Sequence, residues 1–125
     1  MDSVVHFELP ADDMERASTF YKNAFSWNVE SYPGYDYTMV RTAESDDKGP
    51  KERARINGGM LKRQEPIMNP VITIEVTDMS AAIERVKANG GTITREAKPV
   101  GDAGIAAYFK DTEGNVLGLW EATKK

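Results

Sequence analysis

The chain spells strand, helix and three strands, and then spells the same order again. Val4 to Leu9 is a short run of branched and aromatic residues, ended by Pro10, and reads as a strand. Asp12 and Asp13 suit a helix start, where a carboxylate accepts free backbone N–H groups. Met14, Ala17, Tyr21, Ala24 and Phe25 follow at helical spacing, so the helix should end near Phe25, with Phe20, Tyr21 and Phe25 in the core. Residues 27–32 and 36–42 read as strands about a turn at Pro33-Gly34, and residues 55–62 as another. The second round begins with a strand over 71–76. Asp78 is a cap, Met79, Ala82, Ile83 and Val86 form a helical stripe, and Asn89-Gly90-Gly91 is the stop. Strands over 92–97, 104–109 and 116–121 complete it.

The repeat shows in the residues as well. Val4-Val5-His6-Phe7-Glu8-Leu9 lies over Val71-Ile72-Thr73-Ile74-Glu75-Val76, and Ile56-Asn57-Gly58-Gly59 lies loosely over Gly114-Asn115-Val116-Leu117. Half-domains of about sixty residues bury too little surface alone and gain by pairing. We therefore expect one domain over residues 1–125: a first module at 1–62, a linker at 63–70 and a second module at 71–125. The stretch 43–54 crowds charges around Gly49-Pro50 with no apolar period, and reads as a solvated loop.

Composition narrows the partners. The formal charge of −4 with both signs interspersed leaves no basic footprint for nucleic acid. Zero cysteines remove disulfides, thiolate metal sites and thiol nucleophiles together. No apolar run approaches membrane-spanning length. The expected setting is the cytoplasm.

Two stretches, VVHFELPADDMERASTFYKNAFSW and FKDTEGNVLGLWE, with INGGMLKR and the VITIEV strand between them, resemble the vicinal oxygen chelate superfamily of glyoxalase I, bleomycin-resistance proteins and extradiol dioxygenases. The resemblance covers nearly the whole chain. It implies an α+β fold of two paired βαβββ modules forming a curved, half-open barrel-like sheet around a cleft, helices outside, and often a homodimer. It also implies a divalent metal held from the first and last strands of each module. His6 matches the first of these positions, Thr73 its counterpart, Gly118 the usual last-strand glutamate, and Gly59 or Met60 the remaining one. Only one of the four is a ligand type, whereas catalytic zinc sites use three protein ligands. No family-type metal site or cofactor is therefore expected.

His6 is the sole histidine and so the one candidate for proton transfer near neutral pH. By strand alternation Glu8 shares its face, and Glu75 shares a face with Thr73. His6, Glu8 and Glu75 are thus the catalytic candidates, or an improvised metal site. Glu121 should face the other way. Trp27, Tyr35, Tyr37, Tyr108 and Trp120 are candidates to line an apolar pocket with Thr73, because Trp120 shares a face with Gly118 and a glycine leaves room for a flat ligand. Each residue also has a plainer role as packing or a local ion pair. Three functions stay open: a metal-free small-molecule binder, a metal-dependent lyase, isomerase or dioxygenase rearranged around His6, and a non-catalytic dimer whose cleft is filled by Trp120, Met60 and Met39. The first is the expected function: a glyoxalase/bleomycin-resistance-like protein that binds a small molecule in a cleft between the two modules.

Overall fold

A computed structural model describes every residue except Pro33, Tyr35 and Lys125, so the expected Pro33-Gly34 turn and Tyr35 lie partly or wholly outside the described residues. The elements, in order, are β1 (Val4–Ala11), α1 (Met14–Phe25), β2 (Asn28–Ser31), β3 (Thr38–Arg41), β4 (Ser45–Asp46), β5 (Gly49–Pro50) and β6 (Asn57–Lys62). Then come β7 (Val71–Glu75), α2 (Met79–Ala88), β8 (Thr92–Val100), β9 (Gly104–Lys110) and β10 (Val116–Ala122). The fold is α+β, as the repeated pattern requires. The chain divides into two compact units, one of residues 6–70 and one of residues 1–5 with 71–125.

The two units are wired alike. In the first, the strands lie in the order β2-β3-β6-β1, with β1 parallel to β6 and the others antiparallel. The second has the order β7-β10-β9-β8, with β7 parallel to β10. Parallel neighbours need a crossover, which the helix supplies in each unit. Asp13 caps α1 by accepting from the Arg16 N–H at 3.0 Å, and Asp78 caps α2 by accepting from the Ala81 N–H at 3.1 Å.

Those caps set the internal register of the repeat. Asp13 lies five residues after Glu8 and Asp78 five after Thr73, while Glu8 pairs with Gly59 and Thr73 with Gly118. Glu8 is therefore the counterpart of Thr73, Gly59 of Gly118, and His6 of Val71. The sequence overlay of His6 on Thr73 is off by two residues. Because the side-chain period along a strand is two, such a slip preserves every face and is invisible to hydrophobic patterning.

Alternation sorts the residues of each sheet. In the first unit Ala11, Val29, Val40 and Met60 are buried together, with Phe7, Tyr21 and Trp27 packed against them on the α1 side. In the second, Val76, Met79, Ala82, Ala107, Phe109 and Leu119 form the equivalent cluster under α2. Met60 thus fills the helix-side core, and is not available to plug the opposite face. Two expectations fail by exposure: Phe20 and Phe25 are 57% and 59% exposed, and α1 has no fully buried residue. The helix lies on its sheet through the Ala17 and Tyr21 stripe and leaves the flanking rings outside.

The stretches expected to be loop and linker hold structure. Within 43–54, β4 and β5 form a two-residue hairpin. Asn57 anchors it, accepting from the Thr42 N–H at 2.9 Å and donating from Nδ2 to Ser45 Oγ at 2.8 Å. In the linker, Ile67 is completely buried and pairs with Gln64 through an isolated bridge. Met60 is also completely buried. Met60→Ala should cost about 2–5 kcal/mol in chemical denaturation without changing the denaturant slope.

Candidate functional site

The face of the first sheet turned away from α1 carries His6 and Glu8 on β1, Gly59 on β6 and Met39 on β3, by the pairings Glu8↔Gly59 and Met39↔Gly59. Tyr37, two residues before Met39, reaches across it. Its hydroxyl is 2.8 Å from His6 Nε2, a hydrogen bond whose donor depends on the imidazole tautomer, and the two rings are near-parallel at 18°. A side chain at Gly59 would overlap that hydroxyl. Gly59 is therefore the room in which Tyr37 reaches His6. Beside them Glu8 is only 6% exposed.

Burial pushes the His6 imidazole below its ordinary value of 6.5, and the Glu8 carboxylate pulls it part of the way back. The ring is neutral at pH 7, so Nε2 either accepts a hydrogen bond from the Tyr37 hydroxyl or donates one to it.

In the second unit the same rung reads Thr73, Gly118, Tyr108 and Arg95 across β7, β10, β9 and β8. Thr73 is 7% exposed, and its Oγ1 lies 2.8 Å from where a Cβ on Gly118 would stand. Trp120, half-buried on the next rung, lays its ring over Gly104, 2.8 Å from where a Cβ there would stand. The Arg95 guanidinium lies 5.4 Å from the Tyr108 ring centroid.

The expected site residues thus fall into separate groups. His6, Glu8 and Tyr37 come together in the first unit, and Thr73, Tyr108 and Trp120 share one face of the second. Glu75 is exposed at the end of β7. Trp27 lies on the helix side, stacked on Tyr21 at 5.0 Å and 8°, away from Tyr37. Glu121 turns to the helix side, as alternation requires, and accepts from the Met79 N–H at 2.6 Å at the start of α2. Sequence reasoning missed the Tyr37–His6 bond, the part played by Gly59, and Arg95. The two glycines at equivalent strand positions were the available signal for the first.

These elements define a protein of two βαβββ units with glycine at the matching place on the last strand of each. Residues 3–119 match the family described as Glyoxalase/Bleomycin resistance protein/Dioxygenase superfamily. The chain belongs to that superfamily. It is 30% identical over 116 residues to a lactoylglutathione lyase of Haemophilus influenzae, covering 89% of this chain and 86% of the lyase. It is 28% identical over 121 residues to CFP32 of Mycobacterium tuberculosis, provisionally named a glyoxylase, covering 94% of this chain but only 44% of that relative. Among solved structures, methylmalonyl-CoA epimerase from Mycobacterium tuberculosis superposes with a TM-score of 0.61 at 17% identity, over 97% of this chain and 88% of the epimerase. That likeness shows the fold.

The superfamily resemblance implies a divalent cation, and the donors here do not fit one. On the corrected register its four positions are His6, Gly59, Val71 and Gly118: one imidazole, two glycines and a valine. Among the described residues no group of three or more His, Asp or Glu side chains could hold an ion. The space of one missing ligand holds the Tyr37 phenol instead.

Two outcomes test this geometry. Gly59→Ala should cost about 1–3 kcal/mol because Tyr37 must move, and the penalty should largely vanish in a Tyr37→Ala background, a coupling that a double-mutant cycle measures. Between the depressed folded value of His6 and 6.5, the unfolded chain holds more protons than the folded one. Stability should therefore rise with pH through that window and level off above 6.5. Urea denaturation of the wild type against His6→Gln should show that extra slope only where the imidazole is present.

Proposed function

We propose that this superfamily member binds a small organic molecule without a family-type metal, on the sheet faces turned away from the helices. The observation that carries this reading is the pair of glycines, Gly59 and Gly118, at positions where the resemblance calls for chelating side chains. With them goes the Tyr37 hydroxyl, which occupies one of those spaces and engages the sole imidazole. A lone imidazole cannot retain a divalent ion at useful occupancy. In the first unit that face offers the Tyr37 ring beside the polar atoms of His6 and Glu8, and in the second it offers Tyr108 and Trp120 beside Thr73. Large rings around a few polar groups are the usual make-up of a small-molecule pocket. We assign the protein to the cytoplasm as a homodimer, in keeping with its lack of cysteine and the habit of the superfamily. No helix among the described residues is long and apolar enough to cross a membrane.

The test is a thermal-shift screen of aromatic and apolar compounds on protein treated with EDTA, alongside elemental analysis of untreated protein. A compound at a hundredfold over its Kd adds about 2.7 kcal/mol, which raises the Tm of a domain this size by about ten degrees. We expect at least one such compound and an unchanged baseline Tm after EDTA. A stoichiometric divalent metal that is lost in His6→Ala would overturn the reading in favour of a rearranged metal enzyme. Silence across the whole panel would overturn it too.

A further inference from the structure

The first unit leaves its helix short of cover. α1 has no fully buried residue, whereas α2 buries Met79 and Ala82. Phe20 and Phe25 are each more than half exposed, and their ring centroids lie 6.3 Å apart, with the Tyr21 ring 5.1 Å from the first and 6.4 Å from the second. The repeat shows that the fold does not require this. Counted from the helix caps Asp13 and Asp78, Phe20 answers to Arg85 and Phe25 to Gly90. The second unit thus places an ion-paired arginine and a glycine where the first places two phenylalanines. Contiguous exposed rings with a polar rim mark a contact surface.

The patch is complementary to itself. Beside Phe20 runs a groove of about 350 Å³, with Pro10, Ala17 and Tyr21 along it and the charges of Asp12, Arg16 and Arg63 around it. Residues four apart share a helix face, so Arg16, Phe20 and Ala24 form one stripe, exposed at all three places. One surface therefore carries a protruding ring, a recess and both signs of charge, which is what a two-fold interface requires. An axis beside Phe20 runs two copies of α1 antiparallel, ring against ring, and sets Arg16 of each copy against Ala24 and the last helical turn of the other. That turn ends in carbonyls with partial negative charge, which a guanidinium satisfies. The Arg16 side chain makes no ion pair among the described residues, so nothing in its own protomer competes for it. Aromatic rings and arginine are also the side chains that dominate interface centres. CFP32 leaves more than half of its length outside the match, room for a second body of this size in one chain. The net charge of −4 disfavours an anionic lipid surface as the occupant.

We infer that the α1 flank bearing Arg16, Phe20 and Ala24, with the groove beside it, docks a second copy of this chain in an antiparallel two-fold pairing. The inference rests on the homodimer assignment above and names the surface that makes it.

Sedimentation equilibrium of the full chain over a dilution series tests it. The wild type should sediment as a dimer that dissociates on dilution. Phe20→Glu should keep the wild-type circular dichroism spectrum, because Phe20 lies outside the core, and should raise the dimer dissociation constant about thirtyfold or more, the usual loss for a central aromatic anchor. Arg16→Glu sets a like charge against the other copy's carbonyl end and should weaken the dimer in the same direction. Glu113→Gln, on an exposed turn of the other unit, should leave it unchanged. A dimer that survives Phe20→Glu and Arg16→Glu uses another surface; this inference then falls and the homodimer assignment stands. A monomer at every concentration overturns both. If Phe20→Glu loses the wild-type spectrum, Arg16→Glu decides between the same outcomes, since its side chain is exposed and supports no contact within the protomer.

Discussion

Strand alternation is the constraint on which everything else depends. Each unit has four strands and one helix, and the helix covers only one side of the sheet. The apolar set at every second residue goes under the helix, as Phe7, Leu9, Met60, Val29 and Val40 do in the first unit. What is left over, the other half of each strand, is free to carry chemistry. His6, Glu8 and Tyr37 stand on that remainder in one unit, and Thr73, Tyr108 and Arg95 in the other. A single slip of one residue would exchange the core for the site. That leaves the register with little freedom.

Repetition makes the divergence of the two units readable. At equivalent places the first unit has Glu8, Gly59, Met39 and Glu30, and the second Thr73, Gly118, Tyr108 and Arg95. The glycine is common to both and is used differently. At Gly59 a phenol from β3's approach enters the vacated space and binds the imidazole. At Gly118 the nearest atoms are those of the neighbouring Thr73 side chain. One scaffold thus carries a hydrogen-bonded imidazole–phenol pair in one unit and a rung of Thr73, Gly118, Tyr108 and Arg95 in the other, with no change in strand order.

Burial gives the first of these faces its character. His6 is held neutral because its surroundings are poor in water, and the Glu8 carboxylate offsets only part of that effect. A neutral imidazole against a phenol is suited to hydrogen bonding with an uncharged ligand. On the second face no titrating group plays that part. There the charge is permanent, supplied by Arg95, whose guanidinium stays protonated at any working pH.

The amino-acid sequence alone determined the repeat, the two helix starts and the strand faces, because periods of two and 3.6 and the chemistry of aspartate at a helix start act locally. It also showed Glu121 to be on the wrong face for a ligand. Only the tertiary structure decided that His6 answers to Val71 rather than Thr73, since a shift of two keeps every residue on its side. Nor did the chain announce that Tyr37 reaches His6 over Gly59, a contact spanning 31 residues that depends on how β3 lies beside β6. Trp27 is a similar case: its ring stacks on Tyr21 because of where α1 rests. The two register shifts in β8, between Ile93 and Arg95 and between Arg95 and Lys98, were hidden for the same reason. A bulge is set by the ladder to the neighbouring strand, so the side to which Arg95 and Lys98 point is a property of the pair β8 and β9 and not of either stretch read by itself.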